Sequence, residues 1–402
     1  MANTNLTHQI VAREAAAILT EEAPFIANLN LGRQDEFGDA YQGYKPGDTV
    51  KIKVPPTATV YDGAVFAGGG AGDNHVERFV NLTVDTQKHV ALRFGAKEKT
   101  LEVTDFKERY LRPAMQSLSS VVEADLLTRA VKATPNLVGT WGTVPSTMKV
   151  YAQGRAKLQN YLTPPNERST IFSSDANVEL VDASRQLFHA AKQVERGFIR
   201  GTIGEAQGAT FYEHQSLPVH TNGTQAAWTV NGAGQSGATL NIGGLTSGQT
   251  ILKGTVFTIA GSNAIHPQTG TDLGVSQQFV VTADFTASGT TGAIGIYPPI
   301  VAAMPNKTVS AAPGAGANCT MVGGASTGKR QNIMFQKDAF TGAFAPLPVL
   351  ASCEGYTARL PNGVSVRVMT FGDGTNDIER TRIDVLYGFA AVSPLFATRI
   401  TE

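Results

Sequence analysis

A glycine-rich stretch with the composition of a phosphate-binding loop runs from Gly323 to Lys329 (GGASTGK). Its spacing fits most of the pattern G-x-x-x-x-G-K, in which backbone N–H groups and the lysine hold nucleotide phosphates. The next residue is Arg330, whereas the pattern requires a serine or threonine hydroxyl to coordinate magnesium. We therefore interpret this stretch as a linker and not as a nucleotide site.

A second glycine series matches the dinucleotide-binding pattern G-x-G-x-x-G at Gly232, Gly234 and Gly237. That pattern requires a helix after the glycines, because the helix N-terminus faces the pyrophosphate. Here Ala238–Ile242 reads as a strand. We predict a turn between two strands.

The other residues that could do chemistry form no recognisable site. There is no G-x-S-x-G elbow, and the histidines never occur as H-x-x-x-H. We expect His214 and His220 to lie at the surface or in turns. Cys319 and Cys353 are too few for a disulfide framework, and we expect both to be small, semi-buried residues. The sequence therefore predicts no catalytic residue, no metal ligand, no cofactor and no enzyme activity.

The composition excludes a strong electrostatic attraction to nucleic acid or to an anionic membrane. The 402 residues contain 33 Lys plus Arg and 33 Asp plus Glu. Only 16% of the residues are charged, against about 25% in typical proteins, so we expect surface that neighbours cover. No apolar run reaches the roughly 20 residues of a membrane helix, and the first residues lack the features of a signal peptide. We expect a protein that is made and used in a cytosol.

Residues 1–47 are predicted to form an N-terminal arm with a short amphipathic helix at residues 7–19. Apolar residues recur there in helical phase, Ile10, Ile18 and Leu19 among them. A single apolar stripe needs a surface to cover it. That surface could be this chain's own core or a neighbour's.

Residues 48–103 are predicted to form a long two-stranded hairpin. Both strands alternate apolar and polar residues, and the middle is rich in glycine. The apolar residues include Val50, Ile52, Val54, Leu82 and Val84, and the glycines include Gly68, Gly69 and Gly70. An isolated hairpin is marginally stable in water, so we expect this one to lie against something else.

Residues 104–220 read as mixed α and β structure. A long helix is predicted from Asp105 to about Ala133, and Pro113 either kinks it or begins a new helix. One face of this helix is apolar: Met115, Leu118, Val122, Leu126 and Ala130. Further along the chain, we predict helices at 147–161 and about 175–191 and a strand at Ser169–Phe172.

The composition changes abruptly between Thr221 and Gly328. The charged side chains of this range are Lys253, Asp272, Asp284 and Lys307. Short alternating runs separated by turn residues predict an antiparallel sandwich or barrel. We interpret residues 221–328 as an inserted β domain, and residues 329–402 as the return to the core with the C-terminal strands.

The order of these elements resembles the capsid fold that tailed bacteriophages share with herpesvirus capsid floors. More narrowly, it resembles the coat proteins of Salmonella-type short-tailed phages, which carry a telokin-like inserted domain. The residues that bear the resemblance are Thr49–Pro55, Val80–Phe94, Asp105–Val131, Ser216–Val219 (SLPV), Asn332–Ala339 (NIMFQKDA) and Arg382–Gly388 (RIDVLYG). The implied fold class is α+β, with an N-arm, an extended loop, a spine helix, peripheral and axial domains and an inserted all-β domain.

The resemblance implies a major capsid protein that self-assembles into an icosahedral shell around the double-stranded DNA genome of a phage. It further implies a precursor shell that forms with a scaffolding protein and expands when DNA is packaged. The implied partners are other copies in pentamers and hexamers, a portal protein at one vertex and DNA bound without sequence specificity; a decoration protein is left open. The implied location is the virion capsid, assembled in the cytoplasm of a bacterial host.

The resemblance also implies that the arm and the hairpin lie over neighbouring subunits. We therefore expect subunit interfaces at the apolar positions Ile10, Ile18, Leu19, Val50, Ile52, Val54, Leu82 and Val84. We expect bending at Gly68, Gly69, Gly70 and Pro113. Two alternatives stay open: another virion structural or binding protein, such as a tail, fibre or decoration protein, and an enzyme that uses the loop at 323–329.

Overall fold

The computed structural model describes residues 8–32, 49–54, 64, 78–95, 110–184, 204–304, 306–373 and 378–402. The predicted bends at Gly68, Gly69 and Gly70 lie outside these ranges. The chain divides into two compact units. The first comprises Met1–Ile52, Val80–Leu127 and Phe340–Val392, and the second comprises Lys53–Phe79, Thr128–Ala339 and Ser393–Glu402.

Five α-helices lie in the described ranges, with two 3₁₀ turns at Lys337–Ala339 and Pro394–Phe396. The helices are α1 (His8–Glu21), α2 (Pro24–Ala27), α3 (Arg112–Ala133), α4 (Met148–Asn160) and α5 (Ser174–Ser184). Within these ranges, no helix is both long and apolar enough to cross a bilayer.

The described residues also form twenty-one β-strands. The strands before the barrel are β1 (Thr49–Val54), β2 (Arg78–Gly95), β3 (Asn136–Val138), β4 (Arg168–Phe172), β5 (Glu205–Ala206), β6 (Ala209–Glu213) and β7 (Val219–Thr221). The next group is β8 (Ala227–Val230), β9 (Gly237–Gly243), β10 (Thr250–Ile251), β11 (Val256–Ile265), β12 (Asp272–Val281), β13 (Phe285–Thr286), β14 (Thr291–Ile300) and β15 (Asn318–Met321). The last group is β16 (Gly328–Gln336), β17 (Phe340–Phe344), β18 (Glu354–Arg359), β19 (Ser365–Asp373), β20 (Ile378–Ala391) and β21 (Ala397–Thr401).

The first unit is built on a six-stranded sheet with the order β1-β2-β20-β19-β18, in which β17 also pairs with β20. The long strand β2 pairs antiparallel with β20 from Val84 to Gly95. The predicted hairpin strands are therefore part of this chain's own sheet, and their described residues need no neighbouring subunit for pairing. Near β1, the buried side chains of Ile52 and Leu82 pack with those of Ala343 and Ala390.

Helix α1 packs against the hairpin β18–β19 of that sheet. The His8 and Thr370 side chains are hydrogen-bonded (Nε2 to Oγ1, 3.0 Å), and Asn362 Nδ2 donates to Thr20 Oγ1 at 3.2 Å. The buried face of α1 consists of Val11, Ala12, Ala15, Ala16, Ile18 and Leu19. The arm helix thus covers its apolar stripe with its own chain, one of the two options that the sequence left open.

Helix α3 begins at Arg112, so Pro113 lies in its first turn. Proline is tolerated there because its missing N–H group would have no partner within the helix. Of the two predictions for Pro113, the structure thus favours the beginning of a helix over a kink. Residues 105–109, the predicted first part of the helix, lie outside the described ranges. The predicted apolar face is confirmed, since Met115, Leu118, Val122, Leu126 and Ala130 are all buried.

The second unit contains a seven-stranded sheet with the order β3-β21-β16-β4-β6-β5, in which β7 also pairs with β16. The predicted helix at 147–161 and strand at 169–172 correspond to α4 and β4. The predicted helix at 175–191 begins as α5, and residues 185–203 are outside the described ranges. The core of this layer includes Tyr151, Phe172, Phe211, Met334 and Ile400.

A closed six-stranded barrel with the order β11-β12-β14-β9-β8-β15 follows in the same unit. All six strands lie inside the range 221–328 that the composition marked. The glycines Gly232, Gly234 and Gly237 have positive φ angles and lie in and next to the turn from β8 to β9, so the predicted turn is confirmed. The stretch that begins at Gly323 leads into strand β16 and not into a helix, so its linker interpretation is also confirmed.

Candidate assembly surface

The chain leaves the sheet and returns to it through two adjacent antiparallel strands. Strand β7 leads into the barrel and β16 leads out, with Thr221 opposite Gly328, His220 opposite Lys329 and Val219 opposite Arg330. We call these six residues the neck. The two residues at which the composition changes are therefore register partners. Lys329 lies in strand β16 of the neck and not in a loop, so it is not placed as the lysine of a phosphate-binding loop is.

His220 is buried in the neck, with 4% of its surface exposed, so the expected surface position of this residue is wrong. Its ring meets that of Trp141 edge-on at 6.4 Å between centroids. Burial, together with the nearby charges of Arg399 and Lys132, lowers the pKa of His220 to about 3. The imidazole is therefore neutral at neutral pH.

A glycine of the barrel makes this packing possible. Gly254 has a φ of +94°, and a Cβ atom there would lie 2.9 Å from Lys132 Cγ and 3.0 Å from His220 Cε1. Any other residue would be strained in that conformation and would collide with the neck. The barrel can thus lie close to Lys132 and His220 at this point because Gly254 carries no side chain.

A glutamine side chain binds the barrel to strand β3. Gln278 Oε1 accepts from Leu137 N at 2.9 Å, and its Nε2 donates to Leu137 O at 2.9 Å. Lys157 Nζ also donates to Gln278 Oε1 at 2.9 Å. The amide takes the place of a neighbouring strand and satisfies both backbone groups of Leu137. We call these hydrogen bonds between Gln278 and Leu137 the clamp. The Leu137 side chain also packs against Val256 and Val280 of the barrel.

Two buried polar groups tie the last strand to the second unit. Arg399 is fully buried, its Nε and Nη2 donate to Thr134 O at 2.8 and 2.5 Å, and burial lowers its pKa to about 9. Thr134 directly follows α3, and a cation at a helix C-terminus is favourable. Glu402 Oε1 accepts from Ser173 Oγ and from Asn332 Nδ2, the latter at 2.9 Å. Nothing in the sequence pattern had marked Arg399 or Glu402, because their partners are distant in the chain.

The first unit contains a buried charge cluster around Asp384, which is fully buried. Arg367 Nε and Nη2 donate to Oδ2 at 3.3 and 3.0 Å. Arg382 Nε and Gln87 Nε2 donate to Oδ1 at 2.8 and 2.9 Å. One carboxylate thus pairs with two guanidinium groups and joins side chains of β2, β20 and β19 on one face of the sheet.

The structure divides the eight predicted interface positions into two groups. Five of them are buried within this chain: Ile18, Leu19, Val50, Ile52 and Leu82. They belong to its own core because α1 packs on β18–β19 and because β1 and β2 are strands of the same sheet. The other three keep exposed area: Ile10 is 38% exposed, and Val54 and Val84 are half-buried.

The described residues offer no site for metal or thiol chemistry. They contain no group of three or more His, Cys, Asp or Glu side chains that could hold a metal ion. Cys319 is buried and Cys353 is half-buried, as expected, and neither forms a disulfide. Burial raises the pKa of Cys319 to about 12, so this thiol is unreactive at neutral pH.

Comparison with known proteins gives one family and a set of similar structures. Residues 36–398 match the family described as P22 coat protein - gene protein 5. No curated protein sequence matches the chain. A structure from Mycobacterium phage Che8 is 13% identical with a TM-score of 0.50 and covers 93% of this chain and 90% of its own. This identity supports a common fold and nothing more.

Two further structures are less similar. The capsid of cyanophage P-SCSP1u is 9% identical with a TM-score of 0.45, covering 94% of this chain and 98% of its own. A virus-like particle from Pyrococcus furiosus is 8% identical with a TM-score of 0.40, covering 97% of both chains. The family match spans nine-tenths of the sequence and both compact units. The chain therefore belongs to the P22 coat protein family and is a phage major capsid protein, a structural protein of the capsid shell.

Proposed function

We propose that this chain assembles, as pentamers and hexamers, into a closed icosahedral shell that encloses a double-stranded DNA genome. The observation that carries the proposal is the family match over residues 36–398, which includes helices α3, α4 and α5, the barrel and both large sheets except for the end of β21. A tail, fibre or decoration protein would explain the Gly- and Thr-rich barrel alone. It would not explain α3 and the six-stranded sheet.

The partners follow from the same proposal. A scaffolding protein assists a precursor shell, a portal protein occupies one vertex, and the shell expands when DNA is packaged in the cytoplasm of a bacterial host. The equal numbers of acidic and basic residues suit a shell whose contact with DNA is neither tight nor sequence-specific. Residues 221–328 act as the inserted domain, of the telokin-like kind found in coat proteins of short-tailed phages.

The interface positions that remain exposed are Ile10, Val54 and Val84, and we assign them to contacts between subunits. Bending during expansion is assigned to Gly68, Gly69 and Gly70 and to the beginning of α3 at Pro113. Replacing Pro113 with Ala, which restores an N–H group and frees φ, should alter shell size or expansion. Wild-type shells and wild-type expansion of P113A would contradict the assignment.

The experiment that tests the proposal is the assembly state of the purified protein. We expect light scattering to give a mass in the megadalton range and negative-stain images to show closed shells. Trimers or fibres would favour a tail or fibre protein instead. Lys329→Ala is a matched control: it should assemble like the wild type, and neither protein should bind ATP. ATP binding that K329A abolishes would support an enzyme.

A further inference from the structure

The sequence contains three Asn-Gly pairs, which begin at Asn222, Asn231 and Asn362. Asparagine is thermolabile, and an Asn-Gly pair is reactive because glycine has no Cβ atom to shield its backbone nitrogen. That nitrogen can attack the side-chain amide of the asparagine. Whether a pair reacts in the folded protein depends on how its amide and its glycine nitrogen are held.

Asn231 and Gly232 lie at the beginning of the turn from β8 to β9, and both residues are exposed. The Asn231 carboxamide and the Gly232 N–H group form no hydrogen bond with any residue that the structure describes. A Cβ atom on Gly232 would meet nothing within 4 Å apart from its chain neighbours. The Asn231 side chain lies over Gly243 of β9, which has no side chain to cover it. Both reacting groups are therefore accessible.

The turn itself requires this glycine. Gly232 has a φ of +97°, a conformation that other residues adopt only with strain. Gln235 holds the main chain of the turn, since its Nε2 donates to Asn231 O at 2.8 Å and to Asn241 O at 3.0 Å. The turn thus fixes the backbone of Asn231 and leaves its carboxamide unbound within the described ranges.

Asn222 is held much more firmly. Only 1% of its surface is exposed, and its Nδ2 donates to Val322 O at 3.0 Å and to Gly324 O at 3.3 Å. Gly223 is packed so closely on the next segment that a Cβ atom there would collide with Thr250 O. A reaction at Asn222 therefore requires local opening of the structure.

Asn362 is exposed, but both of its reacting groups are engaged. Its Oδ1 accepts from Val364 N at 3.2 Å, and its Nδ2 donates to Thr20 Oγ1 at 3.2 Å. The attacking nitrogen, Gly363 N, donates to Leu360 O at 2.8 Å. These hydrogen bonds must break before the amide and the nitrogen can react.

We propose that Asn231 is a site of spontaneous deamidation in the folded protein, and that the fold protects the other two Asn-Gly pairs. Gly232 N bonds to Asn231 Cγ, the bond from Cγ to the amide nitrogen breaks, and ammonia leaves with the proton that Gly232 N gives up. Water then opens the cyclic imide at either carbonyl, which yields aspartate or isoaspartate. No oxidant, metal or enzyme takes part.

The product changes the charge and the shape of the barrel. The charged side chains of residues 221–328 are two lysines and two aspartates, so this range is neutral before the reaction and carries a negative charge afterwards: Lys253, Lys307, Asp272 and Asp284. Isoaspartate also adds a CH₂ group to the main chain at the turn that Gln235 holds. We therefore expect the isoaspartate product to disturb the turn more than the aspartate product does.

Incubation of the purified full chain in mildly alkaline buffer, followed by proteolysis and mass spectrometry, tests the proposal. The peptide that contains Asn231 should gain about 1 Da in a first-order reaction and separate into two products, aspartate and isoaspartate. In the folded chain Asn231 should react at least about tenfold faster than Asn222, which must wait for local opening. It should also react several-fold faster than Asn362.

The same chain unfolded in urea is the matched control. Each of the three asparagines is followed by glycine, so their rates should become similar once the fold is lost. Asn231→Gln should remove the early acidic product, because glutamine would have to close a larger ring. The variant should fold normally, since the Asn231 side chain is exposed. Asn362→Gln should leave that product unchanged.

Several results would overturn the assignment to Asn231. Equal rates at Asn231 and Asn222 in the folded chain, or a faster reaction at Asn362, would show that the fold does not select the pair as described. An Asn231 that reacts only after unfolding would show that the turn keeps the amide and the nitrogen apart. The reaction depends on the folded barrel alone, so a failure of shell assembly would leave it unaffected.

Discussion

The buried charge cluster of the first unit gives the sharpest prediction for stability. Asp384 is fully buried and holds Arg367, whose side chain is only 8% exposed. Replacing Asp384 with Ala leaves this guanidinium buried with no counter-charge. Arg367 keeps its 2.6 Å hydrogen bond to Pro348 O, but a neutral carbonyl does not balance a full charge.

The expected magnitude follows from the burial of the pair. Removing one partner of a buried ion pair costs about 3–5 kcal/mol, whereas replacing both partners with apolar residues of similar volume is often nearly neutral. We therefore expect D384A to lower the free energy of unfolding by about 3–5 kcal/mol. The double variant R367M/D384L should lose much less. Arg382→Ala is the matched control: the Arg382 side chain is 34% exposed, and the variant leaves Arg367 paired, so its loss should be about 1 kcal/mol.

Urea unfolding of the unassembled subunit, followed by far-UV circular dichroism, measures these changes. Fluorescence is unsuitable because both tryptophans, Trp141 and Trp228, lie in the second unit. The two units need not unfold together, so the transition of the first unit is the one to compare. A loss below about 1 kcal/mol for D384A, or an equal loss for the double variant, would refute this account of the cluster.

Three further predictions concern pH and the attachment of the barrel. Burial raises the pKa of Glu123 to about 8, so the protonated carboxyl contributes fully to the free energy of unfolding below pH 4.5, and this contribution is lost as the pH rises through 8. Glu123→Gln keeps the acceptor for Phe25 N, so the variant should not show this loss of stability when thermal unfolding is measured at pH 9. The pKa of His220 is lowered to about 3, so the neutral imidazole contributes to the free energy of unfolding above pH 6.5, and this contribution is lost on acidification toward pH 3. His220→Gln should therefore unfold at a lower pH than the wild type. An acid unfolding transition at the wild-type pH would count against a buried neutral imidazole. Gln278→Ala removes both hydrogen bonds to the backbone of Leu137. We expect the free energy of unfolding to fall by about 2–4 kcal/mol and the amide hydrogen of Leu137 to exchange faster. Wild-type protection of this amide from exchange would show that the two bonds are dispensable.

Local patterns predicted the elements whose signals lie within a few residues of each other. The apolar phase of α3, the strand before Phe172 and the turn at Gly232 to Gly237 are of this kind. Composition also indicated where the barrel lies, since charged residues become rare between Thr221 and Gly328 and all six barrel strands fall inside this range. The limits of the inserted domain themselves stay a prediction.

The features that could not be predicted depend on pairing between distant segments. The sheet brings Gln87, Arg367 and Asp384 together although nearly 300 residues separate the first from the last. His220 was expected at the surface or in a turn because the residues around its ring, Trp141, Lys132 and Gly254 of the barrel, are distant from it in sequence. The same limitation affected the arm. An apolar stripe does not reveal which surface covers it, and α1 covers its stripe with its own chain.

The most direct test of a shell-forming subunit is cryo-electron microscopy of the particles that the purified chain forms. We expect closed particles with icosahedral symmetry, in which each subunit shows the six-stranded sheet, helix α3 and the six-stranded barrel. Open fibres, small rings or monomers under all assembly conditions, with the subunit folded as described, would contradict the central claim.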